Sequence, residues 1–232
     1  DVVASLYDRN SIHDLISRTA SEVFIPLTVG GGIRSLEDIK TILRAGADKV
    51  SLNTAAIKDP GLISSAARYF GSSTIVVSIE AIKNPDGKYY AYTDNGRQET
   101  GVEVIGWAKR ATELGAGEIM ITSVDREGTG SGFDLDLVKA IEAIVDVPLI
   151  VHGGAGKADD VSSLFMETQA DAVALASILH YEYIASQDDF GHSENEGNIE
   201  FLKNKRSFKN IQPAKIPSIK KLMTDNGVSC RI

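Results

Sequence analysis

The feature that most restricts this 232-residue chain is that it repeats itself. Displaced by 123 positions, Gly30-Gly31-Gly32 falls on Gly153-Gly154-Ala155, Ala47-Asp48 on Ala170-Asp171, Val50 on Val173, Leu52 on Leu175 and Thr54 on Ser177. Self-similarity at a fixed spacing means two copies of one structural unit. Each copy is a short apolar run, a glycine turn, an amphipathic stretch and a second apolar run, which is the pattern of a βαβ unit. The apolar runs are too continuous for a one-sided sheet, so both faces should be covered. Two such halves close naturally into a barrel, whereas the halves of an open doubly wound sheet need different strand orders. The expected class is α/β, a (β/α)₈ TIM barrel, with the doubly wound sheet as the alternative.

The rest of the chain continues the alternation. Strands are expected at 25–29, 49–52, 74–79, 118–122, 148–151 and 172–175, and helices at 11–22, 36–45, 60–70, 102–114, 135–144 and 159–168. Gly71 and Gly115 follow two of these helices, as stop signals should. Residues 88–93, after the Asn-Pro-Asp-Gly turn at 84–87, read as a small hairpin in the loop beyond Ile79. One domain covering 1–232 is expected. Asp1-Val2-Val3 reads as the tail of a strand and about six strands follow, so roughly the first fifth of a barrel, its first β–α unit, is expected to be absent. Residues 185–215 begin polar and acidic without periodicity, and read as a loop or disordered insertion. A last helix should follow at 216–226, stopped by Gly227.

Composition narrows the partners. A net charge of −8 argues against a nucleic-acid backbone, though local loops can still bind a small anion. Cys230 is the single cysteine, which excludes an internal disulfide and fits a reducing cytoplasm. No apolar run is long enough to span a bilayer, and no charged-then-apolar leader opens the chain. The four histidines and one cysteine have no metal-ligand spacing, so neither a metal nor another cofactor is expected.

The glycine turns carry the chemistry. A strand running into Gly-Gly-Gly-Ile and then a helix presents bare N–H groups to an anion, where a Cβ would block phosphate oxygens. Asn53-Thr54, at the end of the next strand, can complete the cup with an amide and a hydroxyl. Gly153-Gly154-Ala155-Gly156 and Ala176-Ser177 repeat the arrangement, with Ser or Thr 22 residues after the third member of each triplet. Loops after the last strands of such barrels often hold phosphate. Two cups on one mouth imply a long substrate phosphorylated at both ends.

Five segments together resemble the cyclase subunit of imidazole glycerol phosphate synthase. They are Pro26-Leu27-Thr28-Val29-Gly30-Gly31-Gly32-Ile33, the run 46–56 through Lys49 and Thr54, Gly115-Ala116-Gly117-Glu118-Ile119, the run 122–129 through Asp125, and Gly153-Gly154-Ala155-Gly156-Lys157. The resemblance runs from residue 1 to about 184. The isomerase of the same pathway shares the barrel and cups, but Lys49, Glu118 and the 125–129 motif are similar to the cyclase. The resemblance implies a lyase of histidine biosynthesis that takes ammonia from a glutaminase partner in a heterodimer. Its substrate would be a bis-phosphorylated ribulosyl-formimino carboxamide nucleotide, and its products imidazole glycerol phosphate and aminoimidazole carboxamide ribotide. Asp1, Gly31, Gly32, Asn53, Thr54, Asp125, Gly128, Gly154, Ala155, Ala176 and Ser177 would bind substrate.

The family uses two carboxylates as general acid and base. The first-strand carboxylate has no counterpart in this chain, and the second falls at Glu80, where the family usually has Asp. The extra methylene moves the carboxylate by about 1 Å, enough to cost roughly 10²-fold if uncorrected. His152 stands where the cyclase typically has Ser. It is either a packed strand-end histidine or a group in contact with phosphate or a different substrate. Asp125 should face the mouth, binding ligand or orienting the loop through Thr129. Lys49 and Glu118 are charges at strand starts, where apolar residues belong, and a charge there needs a partner. In the family the equivalent pair belongs to an ammonia gate at the bottom of the barrel, and Asp48 resembles the aspartate that docks the glutaminase. Two other readings stay open. One is a cyclase-like paralogue using ammonia for sugar amidination in surface-polysaccharide synthesis, and the other a non-catalytic scaffold for a glutaminase.

Overall fold

The computed structural model describes residues 13–186 and 209–231. Asp1, the strand tail at 1–3 and residues 187–208 of the expected insertion lie outside the described residues. In chain order the elements are α1 (His13–Glu22), β1 (Thr28–Gly30), α2 (Leu36–Arg44), β2 (Lys49–Leu52), α3 (Thr54–Lys58), α4 (Gly61–Phe70), β3 (Ile75–Lys83), β4 (Tyr89–Thr93) and β5 (Gln98–Glu103). They continue with α5 (Val104–Glu113), β6 (Glu118–Ser123), α6 (Leu135–Glu142), β7 (Leu149–His152), α7 (Ala158–Glu167), β8 (Ala172–Ala174), α8 (Ser177–Ser186) and α9 (Ile216–Asp225).

Strands β1, β2, β3, β6, β7 and β8 pair in that order, every neighbour parallel. With helices between successive strands, this is a partial (β/α)₈ barrel, the expected class. The six parallel strands among the described residues are the six the sequence pattern announces. Alternation along each strand divides the residues between two faces. Val50, Leu52, Ile75, Val77, Ile79, Ile119, Ile121 and Leu149 are almost fully buried against helix residues such as Ile39, Ile63, Leu137 and Leu164. The opposite, lumen face carries Lys49, Ser51, Ser78, Glu80, Glu118, Thr122 and His152, all but Thr122 only half-buried. An apolar outer face and a polar inner one follow directly from the period of two.

Local capping explains the helix starts. Ser35 Oγ accepts the Asp38 N–H at 3.2 Å and opens α2, and Asp134 accepts the Leu137 N–H at 3.2 Å and opens α6. Gly71 and Gly115 do follow their helices, with φ of 91° and 106°. No helix among the described residues is long and apolar enough to cross a membrane.

Several boundaries differ from expectation. Strand β3 does not stop at Ile79. It runs to Lys83 because residues 80–83, the first two still paired with β6, also pair antiparallel with β4, around the 84–87 turn closed by Gly87 N–H to Asn84 O at 2.9 Å. Strand β5 has no apolar alternation and, among the described residues, pairs only with β4, so it gives no signal. The helices α3 and α8, which start at Thr54 and Ser177, were not anticipated. Of the stretch 185–215, the two described residues at its start are helical and 209–215 carry no helix or strand. Ala185 and Ser186 finish α8, while Ile211 is 4% exposed and Ala214 donates its N–H to Ile178 O at 3.4 Å. The final helix packs on α7, where the Asn226 amide donates to Ser162 Oγ at 2.9 Å.

Candidate functional site

Because the barrel strands are parallel, everything that follows their C-terminal ends collects at one mouth. Gly31, Gly32, Asn53, Thr54, Glu80, Asp125, Gly128, Gly154, Ala155, Ala176 and Ser177 all belong to this end. Asp48, Lys49 and Glu118 belong to the other. These residues therefore lie at two opposite ends of the barrel, and their local arrangement differs from the expectation in three ways.

The first concerns the repeat. Gly31 and Gly32 have φ of 102° and 69°, and their structural counterparts are Gly153 and Gly154 at 92° and 116°. Gly30 and His152 are the matching last residues of β1 and β7, paired with Ser51 and Ala174. The displacement is thus 122 through the glycine turn and the start of the helix, and becomes 123 afterwards. The cause is one added residue in α7, which has ten against nine in α2. Ala155 corresponds to Ile33 rather than to a third glycine, and His152 occupies the place of Gly30.

The second concerns the helices after the glycines. The Arg34 N–H donates to Asp38 Oδ2 at 2.9 Å, and the Gly156 N–H donates to Asp160 Oδ2 at 2.8 Å. Both helix starts are closed by their own carboxylates, which would repel an anion. What stays open is the N–H groups of Gly31, Gly32, Gly153 and Gly154, none of which donates to a described residue, and the first turns of α3 and α8. Thr54 and Ser177 begin these two helices, so the Thr/Ser pair contributes helix starts as well as hydroxyls.

The third concerns why glycine is required. A Cβ on Gly153 would meet Ser123 O at 2.5 Å, and one on Gly156 would meet Asn210 O at 2.6 Å. One on Gly154 would collide with Gly132 O. In this cup glycine admits neighbouring backbone. The segment beyond residue 208 fastens the same cup: the Gln212 N–H donates to Gly156 O at 2.6 Å and the Asn210 amide to Thr129 O at 3.3 Å.

Between the cups lies Glu80. Its Oε2 accepts the Gly96 N–H at 2.8 Å from the β4–β5 turn, where Asp94 and Asn95 take φ of 54° and 60°. Burial is the largest influence on its carboxyl and raises the pKa above the ordinary range; the Gly96 N–H and the Asn53 amide pull the other way, and Glu127 and Asp94 add to the rise. Asn53 therefore stands between the first cup and Glu80. Its Oδ1 is buried without a partner among the described residues, an acceptor that awaits a donor.

Asp125 is exposed, and its Oδ2 accepts the Lys83 N–H at 2.8 Å, tying the β6–α6 loop to the hairpin. The Thr129 hydroxyl instead donates to Arg126 O at 2.7 Å and meets Ser131 Oγ at 2.7 Å. Gly128 is exposed, with φ of 71°. At the opposite end Lys49 and Glu118 form the ion pair that their position demands, both partly buried. Asp48 Oδ2 accepts the Leu27 N–H at 2.8 Å, and Asp171 repeats this with Leu149 at 2.9 Å. Sequence reasoning did not single out Thr122 or Gly96. Thr122 is 5% exposed and bridges Glu80 and His152 in register; a polar residue in Glu-Ile-Met-Ile-Thr-Ser was the available signal. Gly96 gave none.

Comparison with known proteins joins this geometry to a lineage. The family described as histidine biosynthesis protein matches residues 1–185, four-fifths of the chain. The chain belongs to the histidine biosynthesis protein family. Within that family it is 46% identical over 185 residues to the imidazole glycerol phosphate synthase subunit HisF of Alkaliphilus metalliredigens (strain QYMF), covering 80% of this chain and 73% of that protein. The HisF subunits of Bacillus cereus strains Q1 and AH187 are 52% and 51% identical over 181 residues, covering 78% of this chain and 72% of theirs. The family match contains both glycine cups, Glu80, His152 and the Lys49–Glu118 pair. It ends inside α8, so the segment that fastens the second cup lies beyond it.

Proposed function

We propose that this family member is the cyclase subunit of an imidazole glycerol phosphate synthase, a lyase of histidine biosynthesis. It adds ammonia to a bis-phosphorylated ribulosyl-formimino carboxamide nucleotide and releases imidazole glycerol phosphate and aminoimidazole carboxamide ribotide. The observation that carries this reading is the pair of matched cups at one mouth with a half-buried carboxylate between them. Gly31, Gly32, Asn53 and Thr54 would hold one phosphate, and Gly154, Ala155, Ala176 and Ser177 the other, with Asp125 and Gly128 at the rim. Open N–H groups on glycines and first turns suit two phosphates far better than one uncharged ligand.

Glu80 would transfer protons. Burial keeps its affinity for a proton closer to what general acid–base work at neutral pH requires. The Gly96 N–H holds one oxygen and so fixes the longer side chain. At the other end the Lys49–Glu118 pair would form part of an ammonia entrance, with Asp48 beside it for a glutaminase partner. One oxygen of Asp48 is already engaged with Leu27 N–H, and the other can take a donor from the partner. The whole reading rests on a cytoplasmic heterodimer with no metal in the reaction.

The test is turnover by the full-length protein with ammonium and the bis-phosphorylated nucleotide, followed by release of the carboxamide ribotide. Glu80→Gln should reduce kcat by at least 10²-fold. Wild-type turnover matched by the variant would remove Glu80 from the chemistry. Absence of turnover in the wild type, with tight binding of the bis-phosphate, would favour the scaffold reading.

A further inference from the structure

The lumen face holds a second titratable side chain that the assignment above does not use. His152 is the last residue of β7 and aligns with Thr122 of β6, which in turn aligns with Glu80 of β3. In-register residues on adjacent parallel strands point to the same face, so the three side chains form one row across the lumen. Its ends are two strand spacings apart, roughly 10 Å between backbones. Thr122 Oγ1 and His152 Nδ1 lie 3.2 Å apart, a hydrogen bond that orients the imidazole. No described residue takes the other nitrogen, Nε2. Glu80, at the far end of the row, has one oxygen held by the Gly96 N–H, and the Asn53 amide also acts on its carboxyl. At the matching position of the first cup stands Gly30, which has no side chain, so the imidazole is a property of one half-site only.

We infer that His152 is a proton-transferring residue acting opposite Glu80, with Thr122 as its positioning residue. The inference rests on the ammonia-adding function proposed above. In the addition step the nitrogen of ammonia bonds to the ribulosyl carbonyl carbon as the C=O π pair moves onto oxygen. The Nε2–H of the protonated imidazole gives its proton to that oxygen, and the Glu80 carboxylate takes one proton from the newly bonded nitrogen. An amino alcohol results. Glu80 has gained the proton that His152 has lost, and exchange with water resets both. Thr122 keeps Nδ1 engaged throughout, so Nε2 is the nitrogen presented to substrate. A donor and an acceptor on opposite sides of one carbon are what such an addition requires.

The experiment uses the full-length protein with ammonium chloride and the bis-phosphorylated nucleotide, comparing His152→Gln, His152→Ala and Thr122→Val with wild type. Far-UV circular dichroism and calorimetric titration with the bis-phosphate establish that each variant folds and binds. His152→Gln should lower kcat by about 10²-fold while KM changes by less than about threefold. Free imidazole should restore part of the His152→Ala rate, an effect that a packing role would not produce. Thr122→Val should lower kcat by a smaller factor. Unchanged kcat, a loss confined to KM, or no rescue of a folded His152→Ala variant each overturns the assignment while leaving the overall function intact. A wild-type protein that does not consume the nucleotide overturns the function and this inference with it.

Discussion

Replacing Gly153 by Ala tests whether the second cup is built around backbone contact. A Cβ there would stand 2.5 Å from the Ser123 carbonyl oxygen and 3.3 Å from its carbonyl carbon and nitrogen. Carbon–oxygen contacts normally settle no closer than about 3.3 Å, so β6 and β7 would have to part by roughly 0.8 Å just where they hold Thr122 and His152. The residue also has φ of 92°, which for an L side chain costs roughly 1–3 kcal/mol. Overpacking in a place that gives little adds roughly 1–3 kcal/mol. Together these centre on about 4 kcal/mol, and for a chain of this size that means a melting temperature lower by roughly 8–16 °C. Gly87→Ala is the control: its φ is 84°, but nothing lies within 4 Å of the added carbon. It should cost only about 1–2 kcal/mol, or roughly 2–8 °C. Urea and thermal denaturation followed by circular dichroism would measure both. If Gly153→Ala proved no worse than Gly87→Ala, the steric account of this cup would be refuted.

Thr54→Ala and Ser177→Ala should each weaken binding of the bis-phosphate about fivefold, the loss of one hydrogen bond worth about 1 kcal/mol, and calorimetry showing equal affinity would reject the two-cup site. Glu80→Gln should change stability with pH in a set direction. Burial raises the folded pKa of Glu80 above the unfolded value of about 4.5, so its stabilising share is present below that pH and is lost as pH rises through the folded pKa. The variant should therefore gain on wild type as pH climbs from 4 to 7, read from melting temperatures, and a constant difference would contradict the burial argument. Lys49→Met and Glu118→Gln should each destabilise the protein, while the double variant should lose less than the sum by about 0.5–3 kcal/mol. Additivity in that cycle would mean that the pair contributes no coupling.

What the sequence revealed, and what it hid, follows from the range of each interaction. The barrel class was legible because period-two strands and the long repeat are written in consecutive residues, and β2 begins and ends where that alternation does. The pairing of Lys49 with Glu118 was also legible, since a charge at a strand start has to be answered inside the same barrel. The one-residue slip between the half-sites was not, because an added residue in α7 cancels against nothing locally and leaves the later matches, from Asp48 onto Asp171 to Thr54 onto Ser177, undisturbed. Capping of α2 and α7 by Asp38 and Asp160 could have been read from an acidic residue in each first turn, and it leaves the proposed phosphate contacts to the first turns of α3 and α8. The contacts around Glu80 belong to a different kind. Gly96 reaches it only because β3 overruns the parallel sheet and folds back through β4, and Thr122 reaches His152 only through register across two strands. Composition at either end carries no trace of such partners. The same register puts Glu80 and His152 at opposite ends of one row, so carboxylate and imidazole share a single surface, and the proton-transfer experiments on them have to be read together.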